Sequence, residues 1–397
     1  MTAAPSPFAA HWDLDPEITF LNHGSFGATP RIVLQHQHEL RQRLEREPVL
    51  FLHRQLEALL DPARAELARF VGCDPDDLAF VANATTGVNT VLRSLRFEPG
   101  DELLVTDHEY NACRNALDFV AERTGARVVV APVPFPLQDA QQVTASVLAQ
   151  VTARTRLFLI DHVTSPTGLV MPVAALVSAL RERGIETLVD GAHAPGMLPL
   201  ELAAMGVAYY TGNCHKWLCT PKGSALLFVR RDLQAGIRPL LISHGANSAR
   251  TDRSRFRLEF DFTGTCDPTP FLCVPAALRF LGSLLPGGIA ALQQRNRDLA
   301  LAGRAVLCRA LGTDPPAPPS MIGSLASVVL RKSSEPLTTP LGLDPLQVWL
   351  FDRHRIEVPV MRWPHPPVRM LRISPQIFNT IGQYEHLAQL VAAAERS

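Results

Sequence analysis

Apolar residues recur at three- and four-residue spacing through "VLFLHRQLEALLDPARAELARFVG" (49–72), which predicts an amphipathic helix. "TGVNTVLRSL" (86–95) opens another. The pattern then changes to short apolar runs bounded by Gly, Pro and charged residues. "DELLVTD" (101–107), "ARVVVAPV" (126–133), "TRLFLIDHV" (155–163), the start of "IETLVDGAH" (185–193) and "SALLFVRR" (224–231) each read as a buried strand. Segments with helical spacing lie at 110–124, 138–152 and 172–184. Strands alternating with helices imply crossover units and a mostly parallel sheet, whose strands are buried on both faces and so almost wholly apolar.

Four segments follow from this pattern. Residues 1–49 form an N-terminal segment that the pattern assigns to neither domain. Residues 50–271 form a large α/β domain, closed by Pro268 and Pro270. A long linking helix is predicted at 272–311. Residues 312–397 form a small C-terminal α+β domain. It begins in the Pro- and Gly-rich loop "LGTDPPAPPSMIGS" (311–324) and carries strands at 325–331, 356–361 and 368–374, expected to pair antiparallel, with helices at 345–354 and 382–396.

Composition narrows the function. The 397 residues carry 38 basic and 38 acidic side chains, so no electrostatic surface for nucleic acid or anionic membrane is expected. The seven cysteines are scattered, odd in number and without a C-x-x-C pair, which argues against a disulfide framework and a structural zinc site. No metal site is expected. No basic, then apolar, leader pattern and no uncharged apolar run of about 18 residues occurs, so a cytoplasmic location is the expectation. Only three of the basic residues are lysine: Lys216, Lys222 and Lys332. Lys216 lies in "YYTGNCHKWL" (209–218), among aromatic and apolar residues. Arg can do most of the solvating work of Lys, but it does not lose its proton to become a nucleophile.

In an open parallel sheet, ligands bind beyond the carboxyl ends of the strands. "NATTGVNTV" (83–91) places Thr85 and Thr86 at a helix start, as an anion site or an ordinary N-cap. "DHEYNA" (107–112) places Tyr110 at a strand-to-helix turn, as a stacking platform or as cover for the sheet edge. "TSPTG" (164–168) offers Ser165 in a turn. "VDGAHAPG" (189–196) ends a strand on Asp190, with His193 three residues on, and a carboxylate at that depth needs a cation or donors. Lys216 follows, and burial there would lower its pKa. Phosphate donors, a platform, a carboxylate for a ring nitrogen and an amine for an aldehyde are together what pyridoxal phosphate requires.

The chain resembles the class V aminotransferase-like group of pyridoxal-phosphate enzymes, fold type I, and is most similar to the branch that includes isopenicillin N epimerase. "LNHGSFGATP" (21–30), "NATTGVNTV", "DHEYNA", "VDGAHAPG", "NCHKWL" (213–218), "FTGTCDPTP" (262–270) and "LRISPQIFN" (371–379) carry the resemblance. It implies Lys216 as the Schiff-base lysine and the acid or base at the substrate α-carbon. Asp190 would pair with the pyridine nitrogen, His193 would lie near the ring hydroxyl and Tyr110 would stack on the ring, where cysteine desulfurases of the group have His. Thr85, Thr86, Asn213 and His215 would hold the phosphate, although many relatives have Ser where this chain has Asn213. Ser165 would join the cofactor set. Thr265 resembles a phosphate contact given by the second subunit of a homodimer. Arg372 would bind the substrate carboxylate, with Asn22 and His23 bordering the pocket.

Three outcomes follow removal of an α-proton in such a site: return to the other face (epimerisation), loss of a β-substituent (C–S lyase) or protonation of the cofactor (transamination). A desulfurase would need a persulfide-forming Cys on a mobile loop, and Cys266 and Cys273 lie beside a helix start instead. A structural or sensing use of the cofactor is the non-enzymatic alternative, although retention of Lys216 and Arg372 speaks for catalysis. The expected activity is epimerase-like, on an amino acid or amino-acid-derived amine, with the lyase and the aminotransferase as alternatives.

Overall fold

A computed structural model describes residues 4–334, 337 and 342–396. Its strands, in chain order, are β1 (Thr19–Phe20), β2 (Leu78–Val81), β3 (Glu102–Thr106), β4 (Arg127–Ala131), β5 (Thr155–Asp161), β6 (Glu186–Asp190), β7 (Tyr209–Asn213), β8 (Ala225–Val229), β9 (Ala326–Leu330), β10 (Ile356–Glu357), β11 (Val360–Met361) and β12 (Arg369–Ile373).

The central sheet has seven strands in the order β2-β8-β7-β6-β5-β3-β4. Neighbouring strands from β4 through β7 run parallel, while β8 is antiparallel to both β7 and β2. Every residue of β3, β7 and β8 is buried, as a sheet covered on both faces demands. One face packs against Val88, Val91 and Leu92 of helix Ala84–Ser94, Leu117 of Asn111–Thr124 and Phe256 of Arg255–Phe260. The other meets Leu60 and Leu67 of Leu56–Val71, Val143 of Ala140–Leu148 and Leu176 of Val173–Arg181. The strand order reverses between β3 and β5, with β4 on one side and β6 and β7 on the other, so the loops after β3, β5, β6 and β7 open at the carboxyl ends beside that switch point.

The mostly parallel large sheet and the small antiparallel sheet β11-β12-β9 agree with the expectation from sequence. Four features do not. Strands β2 and β7 are absent from the sequence pattern, and 209–213 is a strand that runs into the Lys216 turn. The single helix expected over 272–311 is three pieces: Thr269–Leu272, Val274–Ser283 and Gly288–Leu311, with a bend of 70° before the last. Pro286, Gly287 and Gly288 stand at that break, both glycines at positive φ (95° and 67°), which ends one helix and starts another. The strand expected at 356–361 divides at Pro359, which has no N–H for a ladder. Its first half (β10) pairs parallel with β1, and its second half (β11) joins β12.

The N-terminal segment finds its place through that division. Strand β1 pairs with β10, Asn22 bridges to Ser374, and helix Arg31–Arg46 packs on Thr269–Leu272 and Val274–Ser283. Between them, the single turn His23–Phe26 lies against Lys216. Gly27 makes this possible. It has φ 72°, and a Cβ there would sit 2.2 Å from the His215 carbonyl oxygen. No single helix among the described residues is long and apolar enough to cross a membrane.

Candidate active site

Lys216 lies three residues beyond the end of β7. Its Nζ lies 3.2 Å from His193 Nε2, and the Trp217 indole N–H reaches His193 Nδ1 at 3.4 Å. Burial, with Lys216 and Arg372 close by, holds the imidazole well below its usual pKa, so the ring is neutral. With Nδ1 accepting from Trp217, its one proton is on Nε2 and faces Lys216. A donor there favours the unprotonated amine. The same direction follows from desolvation of Lys216 and from the Arg372 charge, which outweigh the attraction of Asp190 and Asp161 and lower the ammonium from 10.5 to about 8.

Asp190 ends β6 and is 2% exposed. Its Oδ1 accepts the Ala192 N–H at 2.9 Å and its Oδ2 the Cys113 thiol at 3.0 Å. Burial raises its pKa, and these two donors with Lys216 offset part of that. Among the described residues no cation lies within ion-pair distance of it. A buried carboxylate in that condition accommodates a cationic N–H.

Helix Ala84–Ser94 begins at the end of this crevice. Asn83 caps it, accepting from Thr86 N–H at 2.8 Å and Thr86 Oγ1 at 3.0 Å. Asn213 Oδ1 accepts the Ala84 N–H at 2.8 Å. Neither the N–H nor the hydroxyl of Thr85 has a partner among the described residues, so both are available to an anion at the positive end of the helix dipole. The helix sits tight on β7: a Cβ on Gly87 would lie 2.1 Å from Thr211 Oγ1. His215 is tied by Nδ1 to the Ser224 carbonyl at 3.1 Å, which leaves Nε2 free.

Arg372, on β12, enters from the small domain. Its Nη1 donates to the Ser165 carbonyl (2.6 Å) and Oγ (3.2 Å), and its Nη2 to Ser25 Oγ (3.1 Å) and Asn22 Oδ1 (3.4 Å). Its Nε has no partner, no carboxylate of the described residues pairs with it, and it is 3% exposed. Burial lowers its pKa from 12.5 to about 10. A buried guanidinium lacking a counter-charge is a receptor for an anion, and a carboxylate suits its planar fork.

The structure therefore brings together Lys216, His193, Asp190, Asn213, His215, Thr85 and Thr86 around one crevice, with Arg372 and Asn22 on the small-domain side. Several expected residues stand differently from their expected roles. Ser165 is bound to Arg372 and so orients the guanidinium. Thr86 has its hydroxyl on Asn83. His23 is fully buried, with Nε2 at 3.1 Å from the Lys216 carbonyl, and burial drives its pKa to about 3, so it braces the lysine turn as a neutral ring. Tyr110 closes the turn after β3, is 44% exposed, and its hydroxyl has no hydrogen-bond partner among the described residues. Thr265 lines a separate cavity with Val49, Glu57 and Arg250 and is not joined to Lys216 within one chain. Lys222 is a turn residue, its Nζ on the Gly27 carbonyl at 2.9 Å.

Sequence reasoning did not single out Glu109, Cys113, Asp161 or Ser25. Asp161 carries the same signal as Asp190, an acid ending an apolar strand, and the two are partners in the β5–β6 register. These residues fit pyridoxal phosphate. Free donors stand at a helix N-terminus for the phosphate, a buried carboxylate without a cation suits the ring nitrogen, and a weakly basic amine suits the aldehyde.

Comparison with known proteins gives the same picture. The Aminotransferase class-V family model matches residues 27–315. The chain is 38% identical over 95% of both chains to an isopenicillin N epimerase of Amycolatopsis lactamdurans, and 36% identical over 96% of both to one of Streptomyces clavuligerus. It is 29% identical to a probable chloroplastic L-cysteine desulfhydrase of Arabidopsis thaliana, over 97% of this chain and 84% of that one. A solved structure of a C-DES variant with glycine covalently linked to its PLP cofactor shares the fold: TM-score 0.80 at 23% identity, over 98% of this chain and 99% of that one.

Proposed function

The chain belongs to the class-V aminotransferase family of pyridoxal-phosphate-dependent enzymes, and we propose that within it the chain is an epimerase-type isomerase. Its substrate would be an amino acid or amino-acid-derived amine, and the reaction would take place at the α-carbon. The observation that carries this reading is similarity from end to end with two bacterial epimerases. A second reading, a C–S lyase, is favoured by the desulfhydrases that are similar over much of the chain.

Bound pyridoxal phosphate supplies an aldehyde for the substrate amine and a protonated ring that accepts the electron pair left when the α-proton departs. The chain's own residues would do the rest. Lys216 takes the α-proton at Nζ on its own face of the α-carbon, and epimerisation returns a proton from a donor on the opposite face. With the pKa of Lys216 near 8, roughly a tenth of it is neutral at pH 7, against a few parts in ten thousand for an ordinary lysine. The His193 Nε2–H keeps that amine in place. Arg372, held in its plane by Ser165, Ser25 and Asn22, binds the substrate carboxylate. Carboxylate and amine then fix two of the four substituents of the α-carbon. Asp190 holds the proton of the ring nitrogen, and Thr85 and Asn213 offer donors to the phosphate. The one proton of the neutral His215 is on Nδ1 toward the Ser224 carbonyl, so its Nε2 joins them on gaining a proton beside that dianion.

A homodimer is the expected working form. Val49, Leu241 and Ile242 are 60%, 65% and 61% exposed, and Val49 borders the cavity that holds Thr265. A second copy covering that surface would bring Thr265 into use. Seven free cysteines support a reducing, cytoplasmic setting.

The test uses the yellow holoenzyme in D2O with a panel of amino acids, small peptides and cysteine conjugates. Deuterium at the α-carbon with interconversion of stereoisomers and no pyruvate is the expected result. Pyruvate with loss of the β-substituent establishes the lyase instead. A purified chain with no cofactor that borohydride fixes to Lys216 refutes both.

A further inference from the structure

The substrate-carboxylate site does not end at Asn22. Behind it stands Glu357, the last residue of β10, paired with Phe20 of β1. Glu357 Oε1 accepts from Asn22 Nδ2 at 3.0 Å. Glu357 is half-buried and pairs with no cation among the described residues. Asn22 turns its other end to the site. Its Oδ1 accepts from Ser25 Oγ at 2.6 Å and from Arg372 Nη2 at 3.4 Å, and Ser25 Oγ accepts from Arg372 Nη2 at 3.1 Å. One amide and one hydroxyl thus join a carboxylate to the guanidinium.

The two ends fix every proton between them. A carboxylate only accepts and a guanidinium only donates. An amide between the two satisfies both in one orientation, with its NH2 toward Glu357 and its oxygen toward Arg372. The Ser25 hydroxyl receives the Arg372 N–H on its oxygen and sends its own proton to Asn22. On the far side, Arg372 Nη1 is held by the Ser165 carbonyl and Oγ, so the plane of the guanidinium is set from both ends. A side chain at 357 that cannot accept would leave the Asn22 NH2 without an acceptor among the described residues. Asn22 is 8% exposed, so water replaces that acceptor poorly.

We propose that Glu357 is a positioning residue of the substrate-carboxylate site, which through Asn22 and Ser25 fixes the orientation in which Arg372 meets the carboxylate. This rests on Arg372 as the carboxylate receptor. It does not rest on the choice between epimerase and lyase.

Two plainer roles leave different marks. A purely structural Glu357 would serve to join β1 to β10, but that pairing uses backbone groups. Thr19 N–H donates to the Arg355 carbonyl at 2.8 Å, and Leu21 N–H to the Glu357 carbonyl at 3.0 Å. Ser374 holds the same stretch from β12, its N–H on the Leu21 carbonyl at 3.2 Å and its Oγ on the Gly24 N–H at 3.0 Å. The chain around Asn22 therefore keeps its place without the Glu357 carboxylate. A Glu357 acting through its charge would be disabled by any neutral residue. The relay needs only an acceptor oxygen, which Gln supplies.

The variants are Glu357→Met, which removes the acceptor, Glu357→Gln, which keeps one without the charge, and Asn22→Ala with and without Glu357→Met. Each is made in the full chain and loaded with cofactor. The probes are 2-aminoisobutyrate, which has no α-proton to lose, and isopropylamine, the same amine without its carboxylate. Their Kd values are read from the cofactor's absorbance. Glu357→Met should weaken 2-aminoisobutyrate about tenfold and leave isopropylamine unchanged. Glu357→Gln should bind both as wild type does. In the Asn22→Ala background, Glu357→Met should cost nothing further, because the path is already cut. Urea unfolding of each variant should match wild type closely.

Equal losses in Glu357→Gln and Glu357→Met would show that the charge acts and would overturn the proposal. So would a Glu357→Met effect that persists without Asn22, or a loss shared by isopropylamine and accompanied by lower stability. The premise is read separately, in the wild type. If wild type binds the two probes equally, Arg372 is not the carboxylate receptor and the proposal falls with it.

Discussion

Replacing Lys216 by Met should make the cofactor-free chain more stable at neutral pH, although it destroys the enzyme. The cause lies in the amine. In the folded chain it titrates at about 8, against 10.5 for an ordinary, solvated lysine. That depression corresponds to about 3 kcal/mol of unfavourable free energy for the charged form in the fold. Because the folded pKa is lowered, the unfolded chain binds more protons between pH 8 and 10.5, and stability gains with pH across that window. Below pH 8 the full penalty is present, and above 10.5 it is gone. Met has a similar length and no charge. The variant also loses the His193 contact, which costs about 1 kcal/mol, so the net gain at pH 7 should be near 2 kcal/mol. The assay is urea unfolding of cofactor-free wild type and variant at pH 7, 8, 9 and 10, compared pairwise so that other alkaline titrations cancel. The gap should be widest at pH 7 and close as pH rises. A gap of constant size, or a variant less stable throughout, would show that the Lys216 charge is solvated in the fold and that the amine is not held neutral.

Arg372→Met should lower kcat/KM for a substrate with an α-carboxylate by about 2–5 kcal/mol, some 30- to several-thousand-fold, through loss of a buried charge pair. The corresponding decarboxylated amine, a poor substrate for wild type, should be affected little, and equal losses on both would place Arg372 outside the carboxylate site. Gly87→Ala inserts a Cβ 2.1 Å from Thr211 Oγ1, so the helix start must move. Spectroscopic titration should find pyridoxal phosphate bound at least about tenfold more weakly, while pyridoxal without its phosphate is unchanged. Trp217→Phe removes the N–H that fixes the His193 tautomer. The pH midpoint of the cofactor's visible band, read by absorbance, should shift toward higher pH as the imidazole ceases to favour the unprotonated state of the Lys216 nitrogen joined to the cofactor.

Much of the fold was legible because buried parallel strands have a plain signature: short apolar runs such as "LFLID" with turn residues at both ends. Strand β7 escaped because "YYTGN" mixes Tyr, Thr, Gly and Asn, and its last residues already belong to the ligand crevice. Strand β2 escaped because four residues between a short 3-10 turn and a capped helix give no period to count. In the site, Lys216, Asp190 and His193 could be read locally, since they stand at or within three residues of the ends of β6 and β7. The attachment of Arg372 to Ser165 spans 207 residues and that to Asn22 spans 350, so only the folded chain brings them together. Nothing in "DHEYNA" shows that Glu109 will lie beside Asp190, which ends a strand three strands further along the chain.

The charges of the crevice share one property. Each is held away from its ordinary protonation in the direction that a ligand group would relieve. Lys216 and Arg372 are depressed, and Asp190 is raised, by loss of water without a full counter-charge. The missing partners are an aldehyde for the amine, a carboxylate for the guanidinium and a cationic N–H for Asp190, which are the groups that an amino acid and the cofactor bring. The cleft is therefore unfavourable for the folded chain by itself, and binding removes that cost instead of adding contacts to an already satisfied surface. The cofactor should then stabilise the fold by mass action, about 2.7 kcal/mol at a hundredfold excess over its Kd. Protein whose phosphate site or Asp190 is damaged should lose that increment while its cofactor-free stability holds or rises. Stability and affinity move in opposite directions across such variants because the same unpaired charges that strain the fold are the ones that recognise the ligand.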